Sequence, residues 1–226
     1  SWNSKKDIIS KNLRLYYAYD ILTNYWSEGG TNKIHSAAKP NRYMTEISTR
    51  AWKNALDAFF DRSMFRAESK QIANPKSEEI VFLNCIYLNT FTAMDQLSIN
   101  KFDIEHIAPK EQMKKLIAVT EGSGLPISSI ANLCYLPEYV NRSKKDKNFY
   151  QDKKYLQHIN LDEVEKKYSF TSSDDLEWMD MPYEGRDDFE TLKQFYFEFC
   201  DNRFSILKKL FCKSMGIDYE AMNAVS

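Results

Sequence analysis

Asp103-Ile104-Glu105-His106-Ile107-Ala108-Pro109 places two carboxylates and an imidazole within four positions and closes them with a proline. Downstream come Asn132-Leu133-Cys134-Tyr135-Leu136 and Asn141-Arg142-Ser143-Lys144-Lys145. Phe102, Ile104 and Ile107 break the helical period on either side and predict a short strand that stops before Pro109, which has no N–H for a ladder. Leu133 to Leu136 predicts a second short strand, and Pro137 predicts the start of a helix running to about Lys144. Strand, excursion, strand, helix is a ββα unit spanning roughly residues 101–155.

The chemistry of these residue types is specific. Histidine titrates near neutrality, so His106 can take a proton from water at working pH. A hard cation such as Mg²⁺ prefers oxygen ligands and needs only one or two carboxylates beside waters and a phosphate. Glu105 offers a charged oxygen and Asn141 a neutral one. Neighbouring strand residues face opposite sides, so Glu105 and His106 share a centre only where the strand ends or bends at His106. A base, oxygen ligands and a basic segment together are what phosphodiester hydrolysis requires.

Around this unit the text is helical. Ile8, Ile9, Leu13, Leu15, Tyr16, Tyr19, Leu22 and Trp26 form a stripe near the 3.6 period, predicting a helix over 7–26. Ser48 predicts the cap of a second helix burying Trp52, Ala55, Leu56, Phe59, Phe60 and Met64. Ser77 predicts the cap of a third, over 78–98. Further helices are expected over 110–119, 161–168 and 187–215, the last ended by Gly216. Gly122 to Pro126 reads as a flexible loop, and the acidic text from Asp174 to Glu190 as an exposed one. The fold class is mainly α, a single helical domain with an embedded ββα-metal motif.

Composition agrees with that class. Of 226 residues, 43% are hydrophobic and 28% charged, while Gly and Pro number only six each, too few for the turns of a β-sandwich. Cys85, Cys134, Cys200 and Cys212 form no Cys-x-x-Cys pair, which argues against a zinc knuckle and for reduced thiols in a cytoplasmic protein. No apolar run reaches the length of a membrane span. The net charge is −1, but it is unevenly spread. Residues 142–154 hold six basic and two acidic residues, and 174–190 hold eight acidic residues and Arg186. Such a split fits a face that holds a polyanion. Arg142, Lys144, Lys145, Lys147 and Lys153 are the candidate phosphate contacts there. The polar segment 33–43, with His35, Lys39 and Arg42, is a second candidate binding element.

Asp103-Ile-Glu-His-Ile-Ala-Pro, then Asn132-Leu, then Asn141-Arg-Ser-Lys-Lys with Phe149, Lys153 and Tyr155 beyond, resembles the HNH group of His-Me finger nucleases. It is most similar to the C-terminal nuclease domain of GmrSD-type, modification-dependent restriction enzymes, and the flanking text at 20–26 and 39–43 extends the resemblance over most of the chain. The resemblance implies His106 as the base, Glu105 and Asn141 as ligands of one divalent metal (Mg²⁺ or Mn²⁺), and Asn132 as the residue that holds the inter-strand loop and orients His106. Asp103 would tune the site or fix the strand. The chain departs from the wider group in lacking zinc-binding Cys pairs, in carrying Lys110 to Val119 where glycines are common, and in having Glu105 where Asp is usual. The expected partner is DNA, in a bacterial restriction or anti-phage defence protein. Because the text starts at Ser1 inside helical sequence, it reads as an excised C-terminal domain whose N-terminal companion would be a nucleotide-dependent sensor. RNA or single strands are the alternative substrate, a decayed DNA-binding module the alternative function. Cutting both strands would call for a homodimer or repeated visits.

Overall fold

The computed structural model describes residues 2–27, 33, 42–88, 102–138, 140, 141, 147, 162 and 164–224. Among these the chain is mainly helical, with one two-stranded antiparallel sheet. Helix α1 runs Trp2–Leu22, α2 Thr49–Lys70 and α3 Ser77–Tyr87. Strand β1 (Phe102–His106) is followed by α4 (Lys110–Val119) and strand β2 (Leu133–Pro137). Helix α5 spans Asp188–Met215 and α6 Tyr219–Asn223.

The helix limits have local causes. Ser48 caps α2, its hydroxyl accepting the Ala51 N–H at 3.2 Å. Gly216 ends α5 in the left-handed region at φ 71°, and Ile217 N–H bonds back to Cys212 O at 2.9 Å. The third helix differs from expectation. Ser77 is its first residue rather than its cap; Lys76 takes the cap position, and Glu79 reaches back to accept the Lys76 N–H at 2.8 Å. The predicted continuation beyond Leu88 lies outside the described residues.

The core joins α2, α3 and α5. Trp52, Leu56 and Phe59 of α2 meet Phe82 and Leu83 of α3, and Phe204, Leu207 and Phe211 of α5 close the third side. Phe60 stacks on Phe204 with ring centroids 4.1 Å apart, and Phe82 stacks on Phe211 at 5.1 Å. Aromatic pairs of this kind add about 0.5–1.5 kcal/mol beyond their buried area, so the aromatic-rich stripes act as packing surface.

Three segments depart from the sequence reading. The acidic text at 174–190 is not simply an exposed loop: Asp174–Asp180 forms a 3-10 helix whose Leu176, Trp178 and Met179 are buried while its carboxylates stay outside. Val164–Ser169 is π-helical rather than α-helical, Asp162 before it is helical, and the rest of the helix expected over 161–168 lies outside the described residues. In the loop 122–126, Leu125 and Pro126 are buried, and a Cβ on Gly122 would meet the Phe189 ring at 1.9 Å, so glycine is there for close approach. Pro137 ends β2, paired with Phe102, and helical backbone begins at Glu138.

β1 and β2 pair in register Phe102↔Pro137 through His106↔Leu133. This hairpin and the connection between its strands carry the candidate site. β2 is buried along its whole length, while β1 is half-buried until His106.

Candidate functional site

The period of the strand sets the first division. Asp103 and Glu105 share one face of β1, and Ile104 and His106 the other. His106 is the last residue of the strand and is still paired with Leu133, so it keeps the face opposite Glu105, and the next two residues, Ile107 and Ala108, are buried.

Asn132 fastens that end. Its Oδ1 accepts the Ala108 N–H at 2.8 Å, and its Nδ2 donates to Ala108 O at 3.0 Å and Ile127 O at 2.9 Å. Its own carbonyl accepts the Ile107 N–H at 2.9 Å. The side-chain amide thus mimics a strand partner just past the ladder, closing the polypeptide where Pro109 ends it. Asn132 is wholly buried, so each of these bonds is protected from water.

On the Asp103 face, Asn141 Nδ2 donates to Asp103 Oδ2 at 3.2 Å. The helical backbone that follows β2 therefore returns Asn141 to β1, next to the face that carries Glu105. All three side chains are half-buried. Two carboxylates and an amide are hard oxygen donors, and the amide oxygen keeps its acceptor capacity while its nitrogen is engaged by Asp103. Such a set fits Mg²⁺ or Mn²⁺, which bind through few protein oxygens and retain water. Among the described residues there is no cluster of three or more His, Cys, Asp or Glu side chains of the kind that encloses a metal.

His106 lies elsewhere. Its ring is buried, with 4% of its surface exposed, and its Nε2 lies 3.2 Å from Ser128 Oγ. The structure thus brings Asp103 and Asn141 together with Glu105 on their face, and puts His106 behind the strand against the 127–132 connection.

That connection is heavily braced. Ser63 Oγ accepts the Ile130 N–H at 2.9 Å and donates to Glu79 Oε1 at 2.5 Å. Arg66 pairs with Glu79 at 2.6 Å, with both side chains largely buried. From the other side, Arg203 donates to Ala131 O at 2.6 Å, and Tyr196 OH to Pro126 O at 3.0 Å. Burial lowers the Arg203 pKa and raises that of Tyr196 well above its ordinary value. Ser128, Glu79, Arg66 and Arg203 were not singled out from sequence. Only Glu79 carried a legible signal, its place three residues after the helix cap.

Of the proposed nucleic-acid contacts, Lys147 is exposed. Arg42 is committed within the protein: it forms a two-pronged ion pair with the buried Asp20 and lies over the Tyr16 and Tyr25 rings at 4.8 and 4.4 Å. His35, Lys39, Arg142, Lys144, Lys145 and Lys153 lie outside the described residues. No helix among the described residues is long and apolar enough to cross a membrane. Comparisons with protein-family models, curated proteins and solved structures gave no match.

Proposed function

We propose that the chain is a metal-dependent endonuclease of the HNH type that hydrolyses DNA phosphodiester bonds, serving as the effector of a restriction or anti-phage defence protein. The observation that carries this reading is the return of Asn141 onto Asp103, across 38 positions, to the strand face shared with Glu105. It comes with an asparagine clamp at the very end of that strand.

In this reading Glu105 and Asn141 hold one Mg²⁺ or Mn²⁺, and Asp103 fixes the Asn141 amide. The bound cation supplies positive charge for the oxygens that gain negative charge during phosphodiester cleavage. His106 takes the proton of the attacking water, a step worth ~10²–10⁴-fold in rate. Lys147 and its basic neighbours in sequence neutralise phosphate charge and give salt-dependent binding. The companion sensor domain and the cytoplasmic setting belong to the same proposal.

A second reading is favoured by the burial of His106: a nucleic-acid-binding module without turnover. Incubation with supercoiled plasmid, single-stranded DNA and RNA, in Mg²⁺, Mn²⁺ or chelator, separates the two. Metal-dependent nicking or linearisation of plasmid supports the nuclease. Binding to plasmid without cleavage in either metal supports the module, and cleavage confined to RNA or single strands reassigns the substrate.

A further inference from the structure

Between the acidic 3-10 helix Asp174–Asp180 and α5 lies a cavity of about 210 Å³, far above the ~10–15 Å³ that one water needs. Phe170, Trp178, Phe195 and Phe199 give it aromatic walls. The Trp178 indole N–H is spent on Asp175 O at 2.9 Å, and its ring packs against Phe199 at 6.0 Å, so these rings are fixed. Phe170 sits at φ 52°, an outlier for so bulky a residue, with its ring 5.4 Å from that of Tyr87. Backbone strain retained at a side chain that lines a cavity points to use. Arg203 also lines the cavity, but its guanidinium is buried and donates to Ser169 O, Thr171 Oγ1 and Ala131 O. Asp174, Asp175 and Glu198 complete the lining, and all three are exposed. Their side-chain partners are neutral (Ser173, Ser172 and Gln194), and among the described residues none of the three is in an ion pair.

We propose that this cavity receives an arginine side chain from a basic segment of a partner protein. A guanidinium is planar and weakly hydrated, stacks on aromatic rings and forks onto carboxylates, which are the two kinds of surface the cavity joins. A lysine ammonium is compact and strongly hydrated, and it matches the carboxylates but not the rings. The surroundings continue the charge: Glu177 and Asp180 are exposed on the same 3-10 helix, so the field there draws a basic chain and disfavours nucleic acid. The site is independent of the nuclease reading, because none of its residues belongs to the hairpin that carries Glu105 and His106.

The test is an NMR titration of the ¹⁵N-labelled chain with a capped glycine peptide carrying one arginine, and with its citrulline and lysine counterparts. The chain holds four tryptophans, so the Trp178 indole signal is assigned by its loss in W178F. The arginine peptide should shift that signal saturably. Citrulline, which keeps the shape without the charge, should bind at least about tenfold more weakly, and lysine should fall between the two. D174N and E198Q change exposed side chains, so both should fold, and each should weaken the arginine peptide roughly 3- to 10-fold. Equal binding of the arginine and citrulline peptides, unchanged affinity in the D174N/E198Q double variant, or no shift at Trp178 at millimolar peptide overturns the proposal. Methylguanidine binding as tightly as the peptide overturns it in favour of a small-molecule site. Displacement of the peptide by plasmid overturns it in favour of a nucleic-acid surface.

Discussion

Asn141 donates its side-chain N–H to Asp103 across 38 positions of sequence, at 3.2 Å. The bond fixes which end of the amide faces Asp103 and so leaves the oxygen for another partner. If Glu105 and Asn141 hold a cation, Asp103 acts on it through Asn141. Titration calorimetry with Mn²⁺ should show N141A and E105A binding at least about tenfold more weakly than wild type. D103A should show a smaller loss, because the amide remains but turns freely. Equal Mn²⁺ affinity in wild type and N141A would remove Asn141 from the ligand set.

Asn132 should be costly to replace. N132A strands the Ala108 N–H, the Ala108 carbonyl and the Ile127 carbonyl, all in buried surroundings. An orphaned buried polar group costs about 1–3 kcal/mol, and the three are not independent, so a loss of about 3 kcal/mol is expected. Urea denaturation measures it directly. N132D should be worse than N132A, because a carboxylate cannot donate to the two carbonyls. A loss below 1 kcal/mol in N132A would show that the clamp does not hold the strand end.

The Arg66–Glu79 pair predicts an asymmetry. E79A leaves the Arg66 charge largely buried without its partner and removes the acceptor of Ser63 and of the Lys76 N–H. The expected cost is about 3–5 kcal/mol, whereas an apolar double replacement such as R66M/E79L should cost clearly less. A double variant at least as unstable as E79A would contradict this. The comparison is read from denaturation midpoints.

Alkali should loosen the fold. Burial pushes the Cys200 thiol up to about 12 and the Cys212 thiol to about 11, and it raises Tyr87 and Tyr196 as well. A group whose folded-state value is raised contributes stability below its unfolded value, about 8.5 for a thiol, and loses it as pH climbs towards the folded value. The urea midpoint should therefore hold to about pH 8.5 and fall steadily above it. Iodoacetamide at about pH 8 should label Cys200 only after unfolding. Rapid labelling of Cys200 in the native protein would contradict its burial.

Much of the fold was legible because local signals coincide with global ones. Ser48 caps α2 where an apolar stripe begins, Gly216 ends α5 where one stops, and α4 occupies 110–119 as its pattern predicts. The hairpin was readable from the loss of helical period at Phe102 and from Pro109. The acidic segment was misread because its composition is dominated by carboxylates, while the three buried residues Leu176, Trp178 and Met179 follow no long period. In the candidate site, Glu105, Asn132 and Asn141 stood out by residue type and order. Ser128 and the Arg66–Glu79 frame did not, because their meaning lies in contacts between distant segments that spacing does not encode. The burial of His106 behind β1 was equally hidden: alternation put it opposite Glu105, but only tertiary packing supplied Ser128 as its neighbour.

The central claim is that His106 is the base of a metal-dependent nuclease, and the most direct measurement is plasmid cleavage by wild type and His106→Ala in Mg²⁺ and Mn²⁺, with plasmid binding measured alongside. Wild type should cut only with metal, and the variant should bind equally well while cutting ~10²–10⁴-fold more slowly. Equal cleavage rates for wild type and variant, or cleavage that persists in chelator, would contradict it.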